Sequence, residues 1–344
     1  MKKVNRRYFI KTVGAASLAS TLPRIAISVP EEKLIWGNLL HLSFNMWEDW
    51  DASEKKRRNW RSYRPYLRFN ENLWNDLLNK MVDNHLNMVV IDLGDGVQYR
   101  GHPEIAVENA WSVQKLKEEL QKIRSIGIEP IPKLNFASSH DAWLGEYSRC
   151  LSTDKYYKVC ADLIAEVSDI FDNPRFFHLG MDEEDAKHQG NYKYLVVRQY
   201  DLWWNDFLFL CNEVEKSGAR PWIWSDYLWH YPDLFFKKMP KNVVQSNWYY
   251  GTNFGNDKSV QDYKYVQAYK SLDKHGYDQI PTGSNHSNDE NFAMTVEYCR
   301  KHIKERHLLG FLQTPWRPTI EKYRQHHLNA IEQVGAVISA SGVK

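Results

Sequence analysis

The run Phe176-Phe177-His178-Leu179-Gly180-Met181 ends directly in four carboxylates, Asp182, Glu183, Glu184 and Asp185. Two adjacent acids can divide one reaction: one stays ionised and holds a substrate, while the other, kept protonated by burial, donates a proton. The same acids would equally make a solvated loop beside the positive end of the next helix, so the chemistry depends on what carries them. If the apolar run is a barrel strand, its C-terminal end is where that architecture builds its active site. A period of two puts His178, Gly180 and Asp182 on one face of the strand and Leu179 and Met181 on the other. With the apolar pair against the helices, His178 and Asp182 face the barrel axis and Gly180 leaves room beneath a ligand. Glu183 follows in the loop and can turn inward.

The elements that must position these residues recur eight times. Strand-like apolar runs fall at residues 34–42, 88–93, 129–134, 175–181, 221–225, 243–248, 279–282 and 310–314. Between them, residues 72–84, 113–126, 155–171, 194–216, 232–238, 260–275, 291–305 and 320–334 carry helical period. Gly127, Gly218 and Gly276 stand where helices should stop. Near-continuous apolar strands alternating with helices indicate a parallel sheet covered on both faces. Eight such units with no interrupting linker predict one α/β domain over residues 31–344, a (β/α)8 TIM barrel. No glycine-rich phosphate loop follows the first strand, which argues against a dinucleotide fold.

On that frame the polar residues ending each strand share one rim. They are His41, Asn45 and Trp47; Asp95, Tyr99 and Arg100; Lys133, Asn135 and His140; His178, Asp182 and Glu183; Trp224 and Asp226; Asn247 and Trp248; Ser284, Asn285 and His286; and Gln313, Trp316 and Arg317. Trp222, Trp224 and Asp226 share parity, so an indole and an acid point to the same mouth.

Composition narrows the partners. The chain has 344 residues, 43% of them hydrophobic, with a formal net charge of +2, and no basic block beyond the first few residues suggests nucleic acid. Its 14 Trp and 20 Tyr suit stacking on sugar rings as well as filling a core. Cys150, Cys160, Cys211 and Cys299 lack metal or redox spacing and read as buried thiols. No cofactor signature appears, so neither cofactor nor metal is expected. Asn5-Arg6-Arg7-Tyr8-Phe9-Ile10-Lys11, followed by a mildly apolar stretch to Leu22, reads as a twin-arginine export signal. Residues 1–30 are therefore expected to be a leader that engages the twin-arginine translocase. The mature protein is expected to be soluble in the periplasm or secreted, with no membrane segment.

The segment His178-Leu179-Gly180-Met181-Asp182-Glu183 resembles the His-x-Gly-x-Asp-Glu motif of family 20 glycoside hydrolases, the β-N-acetylhexosaminidases. Leu93-Gly94-Asp95-Gly96 with Arg100 is similar to that family's second-strand segment, and Gly127-Ile128-Glu129-Pro130-Ile131-Pro132 with His140 to its third. Trp224-Ser225-Asp226, Trp248 and Trp316 fall where the family lines its sugar pocket. The resemblance runs from about Leu34 to Trp316. It implies Glu183 as general acid/base and Asp182 as the acid that orients a substrate 2-acetamido group, a substrate-assisted route. It further implies Asp95, Arg100, His140, His178, Trp224, Asp226, Trp248 and Trp316 as substrate-binding or supporting residues, with Tyr249 and Tyr250 as candidates for the acetamido contact. The chain departs from the pattern at Lys133, where the family has a glutamate, at Asn135, at Ser138-Ser139, and at Arg317, where an acid would grip a hydroxyl.

The expectation is thus an exported glycoside hydrolase acting on a glycan. If two carboxylates act instead of the substrate's own amide, Asp95 or Asp226 is the second. The alternative is a carbohydrate-binding barrel without turnover, since a cation at Lys133 would depress the pKa of Glu183. A metal-dependent hydrolase would use His41, His140, His178 and Asp182, but no zinc-type spacing supports it.

Overall fold

The computed structural model describes residues 34–49, 60–190, 192–255 and 262–341. The expected leader lies outside the described residues. Eight parallel strands form the sheet: β1 (Ile35–His41), β2 (Met88–Asp92), β3 (Glu129–Lys133), β4 (Phe176–His178), β5 (Arg220–Trp224), β6 (Val244–Ser246), β7 (Thr282–Gly283) and β8 (Gly310–Gln313). Their order is β6-β5-β4-β3-β2-β1-β8-β7, and parallel bridges Gln245–Gln279 and Trp248–Thr282 bring the two ends together into a nearly closed barrel.

Helices α1 (Glu71–Asp83), α2 (Val113–Ser125), α3 (Asp154–Ile170), α4 (Asp201–Lys216), α5 (Tyr227–His230), α6 (Pro232–Lys238), α7 (Tyr263–Lys274), α8 (Asn291–His302) and α9 (Arg324–Ala340) surround it. Side-chain caps start several of them. Asn70 Oδ1 accepts from Leu73 N at 2.8 Å, and Ser112 Oγ from Lys115 N at 3.1 Å, each satisfying a backbone donor that the first turn leaves open. Among the described residues, no helix is long and apolar enough to cross a membrane.

The alternation expected from the strands sorts the core into two clusters. Ile35, Leu39, Val90, Ile131, Trp222, Trp224 and Leu312 fill the barrel. Trp36, Leu40, Val89, Ile91, Phe177, Leu179 and Met181 pack outward against the helices. Each buried indole removes about 4–6 kcal/mol worth of apolar surface from water, so the inward tryptophans are floor as well as wall for anything bound above them.

Among the departures from expectation, three bear on the site. Helix α4 begins at Asp201, not 194, because Tyr200 takes φ 53° and the preceding loop is bonded elsewhere: Gln189 holds both N–H and C=O of Val196. The β2–α2 connection carries an unforeseen two-residue parallel ladder, Val97–Gln98 with Trp111–Ser112, too short for any periodic signal. The strand expected at 175–181 is extended only over Phe176–His178, after which Gly180, Met181 and Glu183 all adopt positive φ.

Candidate active site

That coil after β4 builds the site. Gly180 has φ 74°, and a Cβ there would sit 1.9 Å from Asn135 Oδ1; its missing side chain lets β3 and β4 approach. Asn135 uses that closeness: its Nδ2 donates to Asp182 Oδ1 at 2.9 Å while its Oδ1 accepts from Ala137 N. Glu183, at φ 52°, is a bulky side chain in the left-handed region, a conformation that costs about 1–3 kcal/mol and persists only where neighbours enforce it. Here the neighbour is Asp226 at the end of β5, whose Oδ2 accepts the Glu183 backbone N–H at 2.8 Å.

The loop beyond is anchored by charge. The buried Arg198 guanidinium bonds the Glu184 carboxylate and reaches Asp206 at 3.3 Å, and its Nη2 donates to Phe136 O at 2.6 Å. Ser138 donates to Glu184 through both N and Oγ. Glu184 is therefore structural, and the acid cluster of the sequence divides into working and anchoring members.

At the mouth, His140 Nε2 lies 3.1 Å from Glu183 Oε2 and 3.4 Å from Asp182 Oδ2, and His188 Nε2 lies 3.3 Å from Glu183 Oε1. Burial works against charge on all of them, but for His140 the two carboxylates outweigh it and push its pKa up to about 10. For Glu183, hydrogen bonds from His140 and His188 overcome burial and hold the carboxyl well below the usual range. Asp226 goes the other way: burial, then repulsion from Asp182, pushes it up to about 8. The two imidazoles thus favour the ionised form of Glu183, and burial favours the neutral form of Asp226. This corrects the expectation that burial alone would protonate Glu183, because two histidines contact it.

A cavity of about 170 Å3 opens on this cluster, lined by Trp47, Trp60, Trp224, Trp248, Tyr250 and Trp316 together with Asp182, Glu183, His188, Arg61 and His286. Trp224 and Trp316 have ring centroids 5.9 Å apart, and Trp316 Nε1 donates to Tyr250 Oη at 2.8 Å. The indole N–H groups of Trp47 and Trp224 are buried and have no partner among the described residues.

Of the sequence candidates, Glu183, Asp182, His140, Asp226, Trp224, Trp248 and Trp316 come together here. Of these, His140 and Asp226 bond Glu183 without lining the cavity, and Asp95, Arg100 and His178 stand apart from the group. Asp95 is buried and held by Ser43 and by Asn45 Nδ2 at 2.9 Å; burial raises its pKa to about 7. It ties the β1 and β2 loops together. Arg100 is exposed, and its backbone N–H, with that of Gly101, is held by the Glu166 carboxylate on α3. His178 lies below the site, 4.3 Å from the Trp224 ring centroid, with its Nδ1 accepting from Gly180 N; burial, then Lys133, keeps it neutral. Of the acetamido candidates, Tyr250 lines the cavity, whereas Tyr249 Oη donates to Asp262. His188 and Trp60 were missed, since a histidine in an irregular loop and an indole outside the strands carry no spacing signal.

For a metal, His140, Asp182 and Glu183 form the one described group whose ligating atoms lie within 4.8 Å of one another. A cation there would require His140 to give up its proton. His41 does not join them: it is buried and neutral, 3.7 Å from Asp92. Asp92 in turn pairs with Lys133, so the charge of that buried lysine is countered within the barrel.

Comparison with known proteins gives the fold a context. No family model matches the chain, and no curated protein matches it. Among solved structures it is similar to a β-N-acetylhexosaminidase from Bacteroides fragilis (14% identity, TM-score 0.58, covering 90% of this chain and 70% of that one). It is similar also to a family 20 β-N-acetylhexosaminidase from Streptomyces coelicolor (11% identity, TM-score 0.57, 88% and 65%) and to Dispersin B (13% identity, TM-score 0.53, 88% and 99%). The chain spans just under two thirds of the Streptomyces structure and nearly all of Dispersin B. At these identities the shared property is the (β/α)8 barrel itself.

Proposed function

We propose that the protein is a glycoside hydrolase acting on a glycan, with Glu183 delivering the proton to the leaving oxygen and Asp182 orienting the substrate. The observation that carries this reading is one imidazolium, His140, spanning both carboxylates at the mouth of an indole-lined cavity. A sugar stacked on the indoles displaces water and brings its glycosidic oxygen to Glu183. Loss of the His188 contact on binding would raise the Glu183 pKa toward that of a donor, and His140 holds a proton within 3.1 Å to supply it. The solved structures' names support a 2-acetamido sugar, in which case Asp182 would steer the acetamido group, with Tyr250 at the cavity wall as its partner.

The export signal at Arg6-Arg7 supports passage through the twin-arginine translocase to the periplasm or beyond, which is part of the same proposal. A panel of aryl glycosides with and without 2-acetamido groups tests the activity. Turnover that Glu183→Gln abolishes, and that Asp182→Asn reduces far more for acetamido sugars, supports the reading. Activity unchanged in Glu183→Gln would sink it.

A second reading has its own observation. Two histidines stabilise Glu183 as an anion, which suits a barrel that binds glycans without cleaving them. Saturable glycan binding with no turnover at any pH between 4 and 9 would favour it.

A further inference from the structure

The indole cavity is acidic on one side and basic on the other. Asp182 and Glu183 enter it from the end of β4, and the strand order puts β8 four places from β4, across the ring. The loops after β8 and its two neighbours, β1 and β7, carry Arg317, Arg61 and His286, and the last two line the cavity.

Trp60 organises the basic wall. The Arg61 guanidinium lies over the Trp47 and Trp60 rings, 4.8 Å from each centroid, and that of Arg317 lies 4.5 Å from the Trp60 centroid. Stacking fixes the plane of a guanidinium while its edge keeps N–H groups to donate. Arg317 Nη1 donates to His286 Nδ1 and to Trp316 O, each at 2.9 Å. A guanidinium cannot accept, so His286 Nδ1 does, and the imidazole carries its proton on Nε2. Burial, then Arg317 and Arg61, lowers the His286 pKa to about 4 and keeps the ring neutral. Arg317 pairs with no carboxylate among the described residues. Two guanidiniums gathered on one ring repel each other, a cost that an arriving anion relieves.

We propose that this wall binds an anionic group on the sugar ring, a sulfate ester or a carboxylate, so that the substrate is an acidic glycan. Arg61 and His286 meet the anion from the cavity wall, while Arg317 adds charge behind them and fixes the imidazole. Asp182 and Glu183 repel the same group, so the ring enters with its anion away from β4 and its glycosidic oxygen toward Glu183. This specificity rests on reading the cavity as a sugar site.

Isothermal titration calorimetry on the full chain at low salt tests it with two matched pairs: N-acetylglucosamine against its 6-sulfate, and glucose against glucuronic acid. In at least one pair the anionic sugar should bind about tenfold or more tighter, and which pair does so separates sulfate from carboxylate. Raised salt should narrow that gap. Arg61→Gln/Arg317→Gln should erase it, and Arg61→Lys/Arg317→Lys should keep part of it, whereas arginines that merely hold the loops would weaken both members of a pair alike. Equal binding within both pairs, no binding of any of the four sugars, or a preference that survives the glutamine substitutions overturns the acidic-glycan assignment. Turnover of the aryl glycosides, not this binding, decides the hydrolase reading, so the two can fail separately.

Discussion

The backbone N–H of Glu183 donates to the Asp226 carboxylate across 2.8 Å, joining the loop after β4 to the end of β5. This bond holds Glu183 in its left-handed conformation and so aims the carboxylate that the site depends on.

Asp226→Asn keeps an acceptor oxygen, whereas Asp226→Ala removes it. The alanine variant should lose about one to two orders of magnitude in kcat with little change in folded structure, and the asparagine variant much less. Steady-state kinetics beside circular dichroism would check this; equal losses would show that the carboxyl's own proton, not its acceptor oxygen, matters.

Stability should follow pH through the same residue. The pKa of Asp226 is raised on folding from 3.8 to about 8, so the folded state binds the proton more tightly. Its contribution is complete below about pH 4 and is lost as pH rises through 8. Asp226→Asn should therefore raise Tm relative to wild type most at pH 8 and above, with the gain shrinking toward pH 4. Thermal melts across that range decide it, and a gain that grows on acidification contradicts the argument.

The His188 pKa is raised chiefly by its hydrogen bond to Glu183. In Glu183→Gln it should drop toward 6.5, and that of His140 should fall with it. Histidine NMR titration reads both; unmoved resonances would mean that the carboxylate does not touch either ring.

Lys133 and Asp92 form a fully buried ion pair under the floor. Lys133→Met leaves Asp92 unpaired and should cost about 3–5 kcal/mol, whereas Lys133→Met/Asp92→Asn should recover much of it. Urea denaturation of both variants measures the difference, and a double variant no better than the single one refutes it.

Gly180→Ala should be among the worst small substitutions in the barrel. A methyl group would strike Asn135 Oδ1 at 1.9 Å in a backbone region that side chains avoid, and Asn135 would release Asp182. A loss of about 2–4 kcal/mol together with reduced turnover is expected; a stable, fully active variant would contradict the packing.

Much of this was legible before any coordinates. Alternating apolar runs and helical periods depend on nearest neighbours in the chain, so the eight βα units, the inward Trp224 and the outward Leu179 and Met181 could be read directly. The motif around Asp182-Glu183 placed two acids at a strand end for the same local reason. The family resemblance implies Arg100 and Asp95 as sugar ligands, yet their partners are 66 and 52 residues away in sequence, at Glu166 and Ser43. Long-range pairing of this kind leaves no periodic trace.

By itself, then, the sequence determined the barrel and the strand edge on which its acids stand, since both follow from local pattern and chain alternation. Only the tertiary structure decided which acid carries charge. His140 and His188 reach Glu183 from different loops and keep it ionised, while Asp226, buried near Asp182, holds its proton. Protonation follows from burial and neighbouring charge in three dimensions, and neither is written in residue order.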